Sequence, residues 1–321
     1  MKNILVVAVV FLSIVMLFVA CCGFVPSIWF CDIVSQFRLV LAAVLGVCVF
    51  IALLLRSKIA IVVSVLGFLV NIFPIVPMYP KPASEATGAS QSLSILNFNT
   101  EFQHNDHYEL FFDLIHSRAP DVVALVEVNK KWINAIEPAM KVYPYREIML
   151  EGPGMALYSK FPIQDVGIYK FGKSFHPRII AQIQFDKGLV SLIVAHPTTP
   201  QSEGGFVERN REFDLLKKEM KDLSSPKILV GDLNCGPWSP AFSNLVSSTG
   251  LIDSEQGIGP QPSWPARTGR VLNDIFVPPF VPIDHVLVSQ DIAVTQREVG
   301  PSMQSDHLPV FVNLLVKRKL P

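Results

Sequence analysis

The sequence predicts an α/β fold, two β-sheets packed face to face with helices outside them, preceded by three transmembrane helices. Three features predict it. Long apolar runs fill the first eighty residues, a stretch rich in Pro, Ser, Ala and Gly follows, and beyond it short strand-like runs alternate with amphipathic helical ones.

Ile4 to Ala20 is apolar except for Ser13 and continues through Val25, long enough to cross a hydrocarbon core. Leu39 to Leu55 carries no charge, and Ile59 to Met78 has only Ser64 and Asn71 as polar interruptions. Arg56-Ser57-Lys58 leaves room only for a tight hairpin, so the last two runs should pack antiparallel. Buried soluble helices share this composition, but three such runs in succession point to a membrane anchor over residues 1–79. Lys2, Arg56 and Lys58 place the amino terminus and the hairpin in the cytoplasm, against the weaker opposing pull of Arg38 and Lys81, which Asp32 and Glu85 partly offset. The expectation is a multi-pass protein of the cell membrane with an extracytoplasmic catalytic domain. Ala20-Cys21 hints at a lipoprotein cleavage site, but bulky Phe18 and the two later spans speak against it. Cys21, Cys22, Cys31 and Cys48 lie in or near the membrane, where cysteine is a small apolar residue, so they say nothing about compartment.

Residues 80–92 read as a linker, and residues 93–321 have the size of one α/β domain. Helices are expected over Asp106 to Arg118, with Leu110, Phe111, Leu114 and Ile115 in one stripe, and over Val207 to Leu223, with Phe213, Leu216 and Met220. Strands are expected near Ser94–Asn99, Val122–Glu127, Ala156–Ser159, Ile179–Phe185, Leu189–His196 and Lys227–Asp232.

Function is written at the ends of these runs. Asn99, Glu127, His196, Asp232 with Asn234, and Asp284 each adjoin a strand-like run, and Ser305-Asp306-His307 closes the set. A strand-end carboxylate alone is usually a turn cap. Six such segments in one chain put polar groups together at a sheet rim, where sites are built. Phosphoester hydrolysis needs a hard cation, a base for water and donors for developing charge. Carboxylate and amide oxygens suit Mg²⁺, with Mn²⁺ as the alternative, and Asn99 and Glu127 are the candidate ligands. Cys235, the only cysteine after residue 50, has no nearby Cys or His, which argues against structural zinc.

The order and separation of Gly231-Asp232-Leu233-Asn234, Ile283-Asp284-His285 through Ser289, and Ser305-Asp306-His307-Leu308-Pro309-Val310, with Asn99 and Glu127 upstream, resemble the endonuclease/exonuclease/phosphatase superfamily. That group includes pancreatic-type DNases, abasic-site endonucleases, neutral sphingomyelinases and inositol-polyphosphate 5-phosphatases. Gly152 to Ile163 looks like its central strand and turn, and the chain is similar to a membrane-anchored, bacterial-type member. The resemblance covers about Leu93 to Leu315 and implies a four-layer α/β/β/α sandwich. It implies that Asn99, Glu127 and Asp306 hold the metal. Asp232 would orient or deprotonate water, Asn234 would contact the scissile phosphate, and His307, held by Asp284, would stabilise the phosphorane-like charge. His196 would be a second phosphate-contacting imidazole.

Plainer readings apply to the neighbours. His285 should face away from Asp284 and pack; Asn97 is either a supporting partner of Asn99 or a plain strand residue. Arg178 is a candidate substrate contact, although an Arg beside a strand is more often salt-bridged. Trp238, just after Asn234, is the better candidate to flank the substrate, and Trp264 the one to pin its loop. His104 and His107 read as loop residues, and Lys130-Lys131 and Lys217-Lys218 as solvated helix faces.

Lys and Arg number 27, as do Asp and Glu, so no basic stripe marks a nonspecific nuclease. The leading expectation is a membrane-anchored phosphoester hydrolase acting on a lipid-linked or envelope phosphate compound. The alternatives are a surface-tethered nuclease and a catalytically inactive binding module, the latter at odds with the full polar set. No protein partner is implied beyond the bilayer and the phosphoester, with nucleic acid as the alternative substrate.

Overall fold

The computed structural model describes residues 2–80, 90–102, 104–170, 176–185, 188–267 and 275–317, so most of the expected linker lies outside the described residues. At the amino terminus, α1 (Lys2–Cys22), α2 (Trp29–Ser35), α3 (Arg38–Leu55) and α4 (Lys58–Ile72) follow in order. Three helices, Lys2–Cys22, Arg38–Leu55 and Lys58–Met78 with its closing 3₁₀ turn, are long and apolar enough to cross a membrane. Val9 packs with Cys48, Ala52 and Ala60, and the hydroxyls of Ser13 and Ser64 meet at 2.8 Å inside the bundle. This packing puts Lys2 and the Arg56–Lys58 hairpin toward the same end of the bundle. The ends of α1 and α4 and the start of α3 lie together at the other end. Phe11, Phe18, Phe50, Leu54 and Ile59 are exposed on the bundle, an apolar surface suited to hydrocarbon.

Beyond the bundle lie two six-stranded sheets. The first holds β1 (Ser90–Asn99), β2 (Val122–Val128), β3 (Tyr145–Met149), β4 (Gly154–Ser159), β11 (Ile292–Val299) and β12 (Val310–Lys317) in the order β11-β12-β1-β2-β4-β3. The second holds β5 (Ile163–Lys170), β6 (Pro177–Phe185), β7 (Gly188–Ala195), β8 (Lys227–Asp232), β9 (Ile252–Asp253) and β10 (Asp284–Val288) in the order β5-β6-β7-β8-β10-β9. Period-two alternation sorts their side chains. Leu93 and Ile95 join Val194, Val230 and Val286 between the sheets, whereas Leu96 and Phe98 face outward onto α5 (Tyr108–Arg118) and α6 (Lys130–Met140). On the far side Ile193, Leu229 and Leu287 meet α7 (Glu203–Asp222) and α8 (Pro240–Thr249). The result is the four-layer α/β/β/α sandwich preceded by three apolar helices.

Local chemistry explains where elements begin. The Ser202 hydroxyl accepts from Gly205 N–H at 3.1 Å and starts α7 four residues before the expected Val207, where two glycines mask the helix in the sequence. Asn129 caps α6 in the same way, and Lys130, Lys131, Lys217 and Lys218 all sit on helices. The seven-residue α2 was not expected, since so short a segment shows no periodicity.

Strand direction gathers the polar ends. β1 and β2 run parallel, as do β7 and β8, so Asn99, Glu127, His196 and Asp232 all fall at carboxyl ends. β10 runs antiparallel to β8 and starts with Asp284 directly opposite Asp232, and β12, antiparallel to β1, starts just after His307. Gly231 is required here: its φ is +149° and a Cβ would lie 1.9 Å from the Ala195 carbonyl oxygen.

Candidate active site

Glu127 reaches the rim through a β-bulge. The β2–β4 register shifts between Val126 and Val128, and Glu127 takes φ +58°, which turns its carboxylate toward the cluster. Asn234 and Glu101 also occupy the left-handed region, at +50° and +60°. Strain at non-glycine residues, of order 1–3 kcal/mol each, persists where surrounding contacts hold it, and it concentrates at functional sites.

Asn99 is the hub. Its Nδ2 donates to Glu127 Oε1 at 2.9 Å and to Asp232 Oδ2 at 3.0 Å and lies 3.4 Å from His307 Nε2, while its Oδ1 accepts from Glu101 N–H at 2.9 Å. Asp232 Oδ1 accepts from Asn234 N–H at 2.8 Å. Burial pushes the Asp232 carboxyl up to about 7, helped by the Asp284 charge and opposed by His307. Burial likewise raises Glu127, against the Asn99 hydrogen bond and His307.

His307 Nδ1 lies 2.8 Å from Asp284 Oδ2, which also accepts from the Ser263 hydroxyl at 2.6 Å. Burial opposes the His307 charge, but Asp284, Asp306 and Asp232 together carry its pKa well above the ordinary imidazole value. The ring is therefore an imidazolium at neutral pH, with Nε2 aimed at the cluster. Asp306 Oδ1 is 3.9 Å from that nitrogen and its Oδ2 accepts from Trp264 Nε1 at 3.1 Å. The opposite holds for His196. Burial, His176 and His307 hold its pKa well below the ordinary value, so its approaches to Glu127 at 3.5 Å and Asp232 at 3.6 Å are those of a neutral ring.

The structure thus brings together Asn99, Glu127, His196, Asp232, Asn234, Asp284, Asp306 and His307. A cavity of about 390 Å³ opens onto Glu127, Asp232, Asn234, Asp306 and His307. A model of the Endonuclease/Exonuclease/phosphatase family matches residues 96–307, from β1 to this histidine. The chain belongs to that family. Its activity class is phosphoester hydrolysis, and the cluster is where the family match and the geometry meet.

Among curated proteins the chain is similar to the inositol phosphosphingolipids phospholipase C of Saccharomyces cerevisiae, 28% identical over 160 residues. That match covers 42% of this chain and only 34% of the length of the yeast relative. Among solved structures, D. rerio TDP2 complexed with single strand DNA product aligns with TM-score 0.59 at 15% identity, covering 70% of this chain and 99% of that one. An endonuclease/exonuclease/phosphatase family protein from Bacteroides thetaiotaomicron aligns with TM-score 0.56 at 16% identity, covering 72% and 100%. At such identities these structures establish the family's fold alone.

The residues fit the divalent cation that the family uses. Glu127, His196 and Asp232 offer ligand atoms within 4.8 Å of one another. Burial raises Glu127 and Asp232, with neighbouring carboxylates adding to it, and a cation would offset that penalty on their charged forms. For Asn99 Oδ1 to hold the cation, the amide would have to turn over, away from Glu101 N–H.

Two substrate contacts differ from the sequence expectation. Arg178 points at α7, where Glu219 accepts from its Nε at 2.7 Å and also from Nη2. Trp238 is buried against Ile75 and Met78 of the amino-terminal bundle, and it is Trp264 that lines the cavity. His285 packs as expected, bound to Asp253 Oδ2 at 3.0 Å and the Cys235 carbonyl at 2.9 Å. Asn97 is fully buried beneath Asn99, and neither of its amide atoms has a hydrogen-bond partner. Ser263 and Glu101 were missed by sequence reasoning; both lie in irregular segments without a pattern to flag them.

Replacing Glu127 by Gln keeps an oxygen but removes the charge that would hold a hard cation. Turnover is expected to fall by about 10²-fold at millimolar Mg²⁺, with partial recovery at higher cation concentration. A Mg²⁺ titration that overlays on wild type would remove Glu127 from the metal site.

Proposed function

We propose that this chain is a membrane-anchored, Mg²⁺-dependent hydrolase of phosphoester bonds, acting on a lipid-linked or other envelope phosphate compound. The observation that carries this reading is the docking of the catalytic layers on one end of the apolar bundle. Gly257 N–H donates to the Met78 carbonyl at 2.7 Å, Gln256 Nε2 to the Pro77 carbonyl at 2.6 Å, and Trp238, four residues past Asn234, packs on Ile75 and Met78. A bilayer around the bundle would meet the site at head-group level, where effective substrate concentration is high. The phospholipase name of the yeast relative supports the same substrate class.

In this reading Asp232 takes the proton of the attacking water, and Asn234, whose Nδ2 also donates to the Pro197 carbonyl at 2.9 Å, steadies the phosphate. His307 donates from Nε2 to the developing negative charge while Asp284 fixes the ring through Nδ1. His196, neutral and buried, offers a second nitrogen toward the phosphate. A divalent cation held by Glu127, Asp306 and Asn99 would neutralise the non-bridging oxygens. The test is Mg²⁺-dependent release of phosphate or phosphorylated head groups by the full chain in vesicles, run beside single-stranded DNA. Turnover of DNA alone would favour the nuclease alternative, and turnover of neither would favour the inactive module.

Lys2 and the Arg56–Lys58 hairpin lie toward the bundle end opposite the catalytic layers, and the positive-inside tendency supports a reading in which those layers lie outside the cytoplasm. A tag after Pro321 is expected to be cleaved by protease added to intact cells. Protection until lysis would reverse the orientation.

A further inference from the structure

We infer that α2, the short helix between the first two spans, forms the substrate-selecting wall of the active site. Its Trp29 and Ile33, with Phe37 in the turn that follows it, would receive the acyl-bearing part of a membrane phospholipid whose phosphate reaches Asp232 and His307. The inference rests on the lipid phosphoester reading above and goes further by naming the element and the residues that would choose the substrate.

The first observation is the cavity itself. Beside the catalytic Asp232, Asn234, Asp306 and His307 it is lined by the apolar Trp29 and Ile33 of α2, Phe37 of the following turn, and Trp264, Val281 and Ile283, with the uncharged Gln36, Thr199 and Gln201 among them. Positions 29 and 33 lie one helical turn apart on α2, and Phe37 stands in the turn two residues past its end. Among the described residues lining the cavity there is no lysine or arginine, so it offers nothing for a run of phosphates. A catalytic polar cluster beside a largely apolar, cation-free lining matches a molecule with one phosphate and a hydrocarbon body.

The second observation is how firmly α2 is held. Asp32 of α2 and Gln36, the residue just past its end, are buried against the catalytic loop: Arg209 Nη1 donates to Asp32 Oδ2 at 2.9 Å and to the Asn234 carbonyl at 3.4 Å, and Ser239 Oγ donates to Asp32 Oδ1. Gly236 N–H donates to Gln36 Oε1, and Trp29 Nε1 to the Pro200 carbonyl at 2.8 Å. The Phe37 ring lies 5.8 Å from that of Phe280. A buried ion pair shared with the carbonyl of Asn234 ties the wall to the catalytic turn, because parting it would strand a charge. The third observation is the exposed apolar fringe beside it. Phe24, Val25, Ile28 and Phe30 are exposed at this end of the bundle, where a bilayer surface would cover them and a chain could pass from lipid into the cavity.

The test uses the full chain in detergent and monomeric diacyl phospholipids with four- and six-carbon chains. Wild-type kcat/KM is expected to rise about tenfold from the shorter to the longer substrate, and Ile33→Trp, which fills the cavity beside α2, to bring that ratio toward one. Phe37→Ala is expected to reduce the ratio as well. Equal kcat/KM for the two chain lengths in wild type, or a ratio unchanged in folded Ile33→Trp and Phe37→Ala, would overturn the role of α2 while leaving phospholipid hydrolysis standing. Should Ile33→Trp not fold, the wild-type ratio and Phe37→Ala decide. Hydrolysis of bis(p-nitrophenyl) phosphate with no turnover of any phospholipid would overturn the lipid reading and this inference with it.

Discussion

Asp232→Asn is expected to lower kcat by about 10²–10³-fold with little change in KM. An amide of the same shape keeps an oxygen for the Asn234 N–H now accepted at 2.8 Å, but it cannot take a proton from water. Stability should move the other way. Burial raises the folded pKa of Asp232 to about 7, well above the ordinary aspartate value, so its contribution to stability is full below the unfolded pKa and is lost as pH rises through about 7. Above that pH the wild-type protein holds a buried charge that the variant lacks. In the absence of cation, the variant should melt at a higher temperature than wild type at pH 8, and the gain should shrink toward pH 5. A variant that keeps near wild-type kcat would show that another group handles the proton.

His307→Ala is expected to cost a similar factor, about 10²–10³ in kcat, because its imidazolium meets charge that is complete only in the transition state. Asp284→Asn separates positioning from chemistry. Burial works against the His307 charge and Asp284 is the foremost of the three carboxylates that overcome it, so removing that charge should lower the His307 pKa. The imidazolium is present below its raised pKa and lost above it, so the alkaline limb of the kcat–pH profile should move to lower pH in Asp284→Asn. Its loss of kcat at pH 6 should be smaller than that of His307→Ala. An alkaline limb unmoved by the substitution would separate His307 from the titrating group.

The four strand ends were legible because parallel neighbours must release their polar residues on the same side, and Asp284 and His307 because antiparallel neighbours begin where those end. The bulge that turns Glu127 inward left no trace in the sequence, since Val126 and Val128 alternate normally around it. Closeness along the chain misled for Trp238. The turn after Asn234 carries it to the helix bundle, and the loop that supplies Trp264 and Ser263 is Pro-rich and without period. Arg178 stands opposite Ala195, next to His196 in sequence, yet its side chain lies on α7 because Glu219 is there to meet it. No periodicity marks α2, and its contacts with Arg209, Gly236 and Ser239 join segments some two hundred residues apart.

Hydrolysis of membrane phosphoesters by the cluster around Asn99 with a divalent cation is open to a direct test. The most direct measurement is ³¹P NMR of phospholipid vesicles carrying the full chain or its Asp232→Asn variant, before and after addition of Mg²⁺. A new phosphate or phosphomonoester resonance that grows with wild type only after Mg²⁺, and at least about 10²-fold more slowly with the variant, is the predicted result. A resonance that grows equally with both proteins, or without Mg²⁺, would contradict it.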